Sequence, residues 1–169
     1  MAAGFLGSIK LAVNGSYKGA NDLGTPLISL AELAAVDLVE GTATGAADLL
    51  FADERTLSAS ATENLDLAGA LTSPLGQTLT FVTVKAIIVI ANSANTNSVI
   101  VGGHGSAAFV GPFGAANDTV SVKPGGIFAI AHGGAGWAVT ATTADMLTIT
   151  NSGGTTGVTY RVIILGTSA

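Results

Sequence analysis

The stretch Leu79-Thr-Phe-Val-Thr-Val-Lys-Ala-Ile-Ile-Val-Ile-Ala91 limits what this chain can fold into more than any other. It is β-branched and aromatic and contains neither Gly nor Pro, which reads as a strand. Its first half alternates, with Leu79, Phe81 and Thr83 on one face and Thr80, Val82 and Val84 on the other. From Ala86 the alternation gives way to Ile87, Ile88, Val89 and Ile90 in succession. A strand apolar on both faces must be covered on both, so this one belongs inside a sheet with layers above and below it.

Downstream, short apolar segments recur: Ser98 to Val101, Thr119 to Val122, Ile127 to Ala131, Gly136 to Thr140, Met146 to Asn151 and Val158 to Leu165. Gly102-Gly-His-Gly105, Pro124-Gly-Gly126, Gly133-Gly134 and Gly153-Gly154 separate them. Upstream, Asp48 to Leu57 and Glu63 to Leu67 read the same way, with Ala68 to Gln77 as a connection and Asn92 to Asn97 as a polar loop. Short strands punctuated by Gly-rich turns predict an all-β antiparallel β-sandwich or barrel. The last strand, apolar on both faces toward its end, suits pairing with the central one.

Residues 1–40 have the least self-contained pattern and are expected to form an N-terminal arm, with the sandwich over 41–169. Ile9, Leu11 and Val13 alternate in a short strand ending at Asn14-Gly15, a hairpin-turn signal, with Tyr17 to Leu23 as loop. Ser29 and Glu32 fit a capping box, with Leu30, Leu33, Ala34 and Val36 as an apolar stripe, which predicts at most one short helix.

Composition narrows the function classes. The chain has 169 residues and no cysteine, so disulfides and thiol nucleophiles are excluded. Charged residues make up 10%, against roughly 25% in an average soluble domain. Such a surface is made of Ser, Thr, Asn and Gly, and part of it is expected to be hidden against partners. The net charge of −5 argues against a nucleic-acid partner, which needs clustered Lys and Arg. No membrane association is expected either, because Ala86 to Ala91 falls far short of the roughly 20 apolar residues of a spanning helix. The first ten residues have no basic region of the kind that opens a secretory signal, so the protein is expected to be used as made.

Chemistry-bearing motifs are absent. His104 and His132, the two histidines, each lie in a Gly-rich turn, and pairing with Asp118 or Asp145 would be needed for a metal site. Their spacing matches no ligand motif, and there is no G-x-S-x-G elbow. The expectation is no enzyme, catalytic residue, metal, cofactor or small-molecule substrate. Trp137 follows Gly133-Gly-Ala-Gly136; it is either a sugar-stacking platform or, the favoured reading, a packing anchor. Phe109, Phe113 and Phe128 read as packing residues, with Phe109 to Phe113 placed as candidates for an intersubunit surface.

Several phrases carry a resemblance. Ala47-Asp-Leu-Leu-Phe-Ala-Asp-Glu-Arg-Thr-Leu57, Ser60-Ala-Thr-Glu-Asn-Leu-Asp-Leu-Ala-Gly69, Asn95-Thr-Asn-Ser-Val-Ile-Val-Gly-Gly103, Val120-Ser-Val-Lys-Pro-Gly-Gly126 and Tyr160-Arg-Val-Ile-Ile-Leu-Gly166 resemble small virion proteins of tailed bacteriophages. The resemblance implies a sandwich of jelly-roll type and a capsid cement or decoration role, with the major capsid protein and sister copies as partners, a homotrimer, and a place on the virion. A tail fibre or tip module is the alternative in the same setting, and a carbohydrate-binding module using Trp137 the alternative outside it. Ile9, Leu11, Val13, Phe109, Phe113 and Trp137 are the interface candidates. If residues 1–40 reach onto neighbours, deleting them abolishes shell attachment and leaves the sandwich folded.

Overall fold

The computed structural model of the chain describes residues 4–69 and 71–169. Met1–Ala3, at the start of the expected arm, and Ala70, inside the expected Ala68–Gln77 connection, lie outside the described residues. In chain order the strands are β1 (Gly7–Lys18), β2 (Leu27–Glu40), β3 (Ala46–Ala47), β4 (Leu49–Leu57), β5 (Thr62–Asp66), β6 (Leu71–Thr72) and β7 (Thr78–Leu79). They continue as β8 (Thr83–Ala91), β9 (Val99–Gly102), β10 (Thr119–Val122), β11 (Ile127–Ala131), β12 (Trp137–Ala138), β13 (Met146–Asn151) and β14 (Val158–Thr167). Among the described residues there is no helix.

Two sheets form the body: β10-β9-β13-β5, and β11-β8-β14-β4 with β12 also pairing β8. Every neighbouring pair in them is antiparallel. The strand pairs are nested: β4 with β14, β5 with β13, β8 with β11, β9 with β10, alternating between the sheets. The core lies between the sheets. Ile87, Val89, Phe51, Val162 and Ile164 from one face Leu65, Val99, Val101, Leu147 and Ile149 from the other in a single cluster. Each such side chain, fully buried, contributes about 1.5–3 kcal/mol.

The second part of the Leu79–Ala91 stretch is central, as its doubly apolar character requires: β8 sits between β11 and β14, whereas Leu79 belongs to β7, paired with β6, and Thr80 to Val82 lie outside the strands. A bulge also resets the side-chain faces of β8. Leu165 pairs with Ala86 but Gly166 pairs with Val84, so Lys85 is an extra residue on this strand. A Cβ on Gly166 would lie 2.1 Å from the Thr83 carbonyl oxygen and 2.6 Å from the Phe81 ring, so glycine alone lets the chains approach this closely. Beyond the bulge, Ile87 and Val89 point into the sandwich, and Ala86 packs in a second cluster with Leu38, Ala47 and Leu165 on the outer side.

The N-terminal segment corrects three expectations. Ser29 to Val36 is part of strand β2, not a helix. Asn14 and Gly15 lie inside β1, opposite Ala31 and Leu30, instead of forming a turn. Tyr17 and Lys18 are strand, and the reversal is made further on, where Asn21 and Gly24 exchange backbone hydrogen bonds of 3.1 and 3.2 Å. The common reason is pairing. A helix of two turns is marginal in water by itself, whereas β1 offers β2 a continuous ladder from Gly7↔Leu38 to Lys18↔Leu27.

Candidate interaction surface

The β1–β2 hairpin has two unlike faces. Gly7/Leu38, Ile9/Val36, Leu11/Ala34, Val13/Glu32, Gly15/Leu30 and Tyr17/Ile28 are paired in register, and alternation puts them on one face, apolar apart from Glu32. Ser8, Asp37, Lys10, Asn14, Ser16, Ser29 and Lys18 on the other face mix with Ala12, Leu33 and Leu27. At its base the apolar face is docked: Phe5, Ile9, Val36 and Leu38 pack with Ala47, Ala86, Leu165, Leu50 and Ala131, the outer side of the five-stranded sheet. Phe5 N–H donates to the Ala47 carbonyl at 3.1 Å and Val39 N–H to that of Gly45 at 3.1 Å, fixing the root. Farther out the same face is bare. Leu11 is 67% exposed, Tyr17 76% and Ile28 67%.

A two-stranded ribbon is at best marginally stable in water when nothing covers it. This one also leaves both long edges open, since β1 is a terminal strand and β2 pairs with β3 only at Val39 and Glu40. Open, apolar, Pro-free edges are templates for pairing with another chain.

The outer faces of the two sheets differ as well. On the four-stranded sheet, Thr62 and Thr150 share a hydrogen bond of 2.9 Å, and Thr148 donates to Asn64 at 2.8 Å. This face is a ladder of hydroxyl and amide groups, exposed at Thr62 and Asn64 and buried at Thr148. On the five-stranded sheet the residues beyond the arm's footprint are Ala129, Ile88, Ile163 and Ala52, then Ile127 and Ile90, in successive cross-strand rows. Only at the far corner do Arg161 and Glu54 supply charge, 3.9 Å apart.

Polar chemistry in the body is structural. At the open seam of the sandwich, Arg55 on β4 reaches across to Glu63 on β5 at 2.6 Å and also binds Asp53 at 2.9 Å. The buried Tyr160 hydroxyl donates to the other oxygen of Glu63. Burial, then the bond to Glu63, pushes the Tyr160 phenol far above its usual value, and Glu63 raises the Arg55 guanidinium. Lys85, the bulge residue, is 2% exposed, and its Nζ donates to the carbonyls of Gly134 and Ala135, both at 2.7 Å. Burial lowers its pKa. The loop it holds needs Gly136, whose φ of +80° and approach to the Val84 carbonyl exclude a side chain.

Both histidines build turns. His104 Nδ1 accepts from Ala107 N–H at 3.1 Å, and His132 Nδ1 accepts from Gly134 N–H at 2.9 Å and Gly136 N–H at 3.2 Å. Asp118 accepts from Ala115 N–H and Asp145 from Thr142 N–H, so the acids named beside the histidines cap turns of their own. Among the described residues no three His, Cys, Asp or Glu side chains gather.

The sequence candidates separate. Ile9, Leu11 and Val13 lie together on the apolar face of the arm, with Ile9 docked and Leu11 and Val13 bare. Phe109 is 2% exposed within the main core, which removes it from any surface. Phe113 packs against that core and stacks on Phe128 at 6.1 Å. Trp137 is half-buried against the core with His132 at its edge, 5.9 Å away, and Gly111 lies so close that a Cβ there would meet Trp137 at 2.6 Å. Sequence reasoning missed Tyr17, Ile28 and Leu30, because a loop and a helix were expected where the two strands run. Period-2 alternation through Leu11, Val13, Gly15 and Tyr17 was the available signal.

Compared with known protein families, curated proteins and solved structures, the chain matches none.

Proposed function

We propose that this protein is a structural component of a tailed-bacteriophage virion, a capsid decoration or cement protein that bridges neighbouring shell subunits. The observation that carries the reading is the bare apolar arm on an otherwise self-sufficient sandwich. A chain meant to work alone in water does not hold out such a ribbon, whereas a chain meant to be buried among repeated copies gains from it. The nested winding of the strands supports the jelly-roll form, in which two sheets are built from folded-over hairpins. The phrases that resemble phage virion proteins, such as Ala47 to Leu57 and Tyr160 to Gly166, fall on β3–β4 and β14. Weak contacts repeated over a symmetric shell add by avidity, so no catalytic or cofactor site is required.

Because Phe5, Val36 and Leu38 complete the outer cluster of the body, deletion of residues 1–40 would strip that cluster as well as the arm. The sharper test shortens the ribbon at the Val13↔Glu32 pair and closes it with a tight turn, keeping the base. Shells lacking the protein are then incubated with full-length or shortened chains and imaged by electron microscopy. Full-length protein is expected to add mass at regular positions on the shell and the shortened chain to leave it bare. Binding of both chains alike, or of neither, counts against the reading.

A further inference from the structure

We infer that the arm is exchanged between copies of this chain: its bare apolar outer half seats on the uncovered outer face of a sister copy's five-stranded sheet. The inference does not depend on the virion reading. The face that would make the contact already makes it within one chain, where Ile9, Val36 and Leu38 lie against Ala86, Leu165, Leu50 and Ala131. The surface that would receive it continues that same sheet face, through Ala129 and Ile88 to Ile90 and Ile127, the last 66% exposed.

The chain's own arm does not cover this continuation. It leaves the body beside β11, where Leu11, Ala34 and Val36 line a groove with Ala129 and Ala131, and its tip face remains exposed. From the Leu11↔Ala34 pair to Lys18↔Leu27 the overhang spans about 24 Å at strand rise, against about 19 Å for the width of four paired strands. One overhang therefore reaches across one neighbouring sheet. With a ribbon about 10 Å wide, each face offers roughly 240 Å², and a reciprocal exchange engaging four such faces buries roughly 1,000 Å², the lower bound of a specific interface.

Charge points to the same occupant. The tip face carries only Glu32, and the receiving rows are uncharged up to Arg161 and Glu54 at the corner. Beyond these three side chains, neither surface offers a phosphate, a basic protein or an acidic peptide anything to pair with. A sister copy supplies both halves in equal number, and arm-on-body contacts exchanged reciprocally in this way close into a two-fold dimer.

The chain contains no cysteine, which allows a direct test on the purified full-length protein without any shell. Copies carrying Leu30→Cys are coexpressed with copies carrying Ala129→Cys and oxidised mildly. The expected result is a cross-linked dimer containing one copy of each, at least fivefold above the dimers that either variant forms alone. A Leu30→Cys variant that dimerises as well by itself places arm on arm and overturns the inference; so does an absence of cross-linking, or a monomer by light scattering. In parallel, Ile28→Glu on the arm and Ile127→Glu on the sheet should each weaken association at least tenfold with unchanged circular dichroism. An effect of Ile28→Glu without one of Ile127→Glu would also overturn it. Shell attachment is not read in either experiment, so failure here is separate from failure of the decoration role.

Discussion

The sandwich and the arm are made of similar residues and are stabilised in opposite ways. In the sandwich, Val, Ile, Leu and Phe from two sheets are taken out of water together, and Ile87, Val89, Val162 and Ile164 have no exposed surface. In the arm, Leu11, Tyr17, Ile28 and Leu33 are equally apolar and mostly in water. Both are long antiparallel ladders, continuous in the arm and interrupted between β8 and β14 at the Lys85 bulge. The difference shows that the ladder alone does not stabilise a strand pair; a covered face does. A region that has the ladder without the cover is where a second molecule would add most stability, and this is the physical ground for proposing the arm as the interaction surface.

Substitutions can break this contrast or sharpen it. The largest effect is expected from Ile164→Ala, which leaves a cavity between the sheets and should lower stability by about 3–4 kcal/mol in urea unfolding. The same truncation at Leu11 should cost less than about 0.5 kcal/mol in the isolated chain. Equal losses at the two positions would erase the distinction between the regions.

Next comes Gly166→Ala. Its methyl group would overlap the Thr83 carbonyl and the Phe81 ring, forcing β8 and β14 apart at the bulge at a cost of about 1–3 kcal/mol. Gly15→Ala in the arm, where a Cβ meets nothing within 4 Å, should be tolerated. A smaller effect belongs to the seam, where Tyr160→Phe leaves one Glu63 oxygen without its donor and should cost about 1–2 kcal/mol.

The seam also predicts a pH dependence. Because the folded-state value for Tyr160 is raised, the unfolded chain loses this proton first, so its contribution is full below about pH 10 and is lost as pH climbs above the ordinary tyrosine value. Lys85 acts in the reverse sense. Its folded-state value is lowered, so between that value and the ordinary lysine value the unfolded chain holds the extra proton and stability rises with pH. Melting curves between about pH 8 and about pH 11 should show the alkaline loss shrink in Tyr160→Phe and the opposing gain vanish in Lys85→Met. The smallest effect on stability is expected for Val13→Ser, which should leave melting within about 0.5 kcal/mol of the parent while reducing association.

Much of the sandwich could be read residue by residue. Thr119–Val122, Ile127–Ala131 and Met146–Asn151 run over the spans that their alternation and flanking glycines mark. These segments are short, lie between strong turn signals and have one sensible periodicity, so local pattern and tertiary pairing agree. The arm was not legible in the same way. Asn14-Gly15 is a turn by local chemistry and Ser29 to Glu32 a helix start by local chemistry, yet both were overruled by a partner strand many residues away. Trp137 drew attention through rarity alone, and it is a packing residue beside β8. Tyr17 and Ile28 drew none, and Leu30 only as part of a helix stripe that the pairing with β1 replaces.

Apolar alternation and glycine punctuation were enough to dictate an all-β chain with the Thr83–Ala91 part of its most apolar stretch at the centre, since a residue's burial preference and a turn's backbone needs are local properties. Which strand lies beside which, how the bulge at Lys85 resets the faces of β8, and that the apolar side of the arm runs off the body into solvent were settled by pairing across long sequence separations. Hydrogen-bond ladders and packed faces exist only between segments, so the free energy that selects them is absent from any one segment read alone.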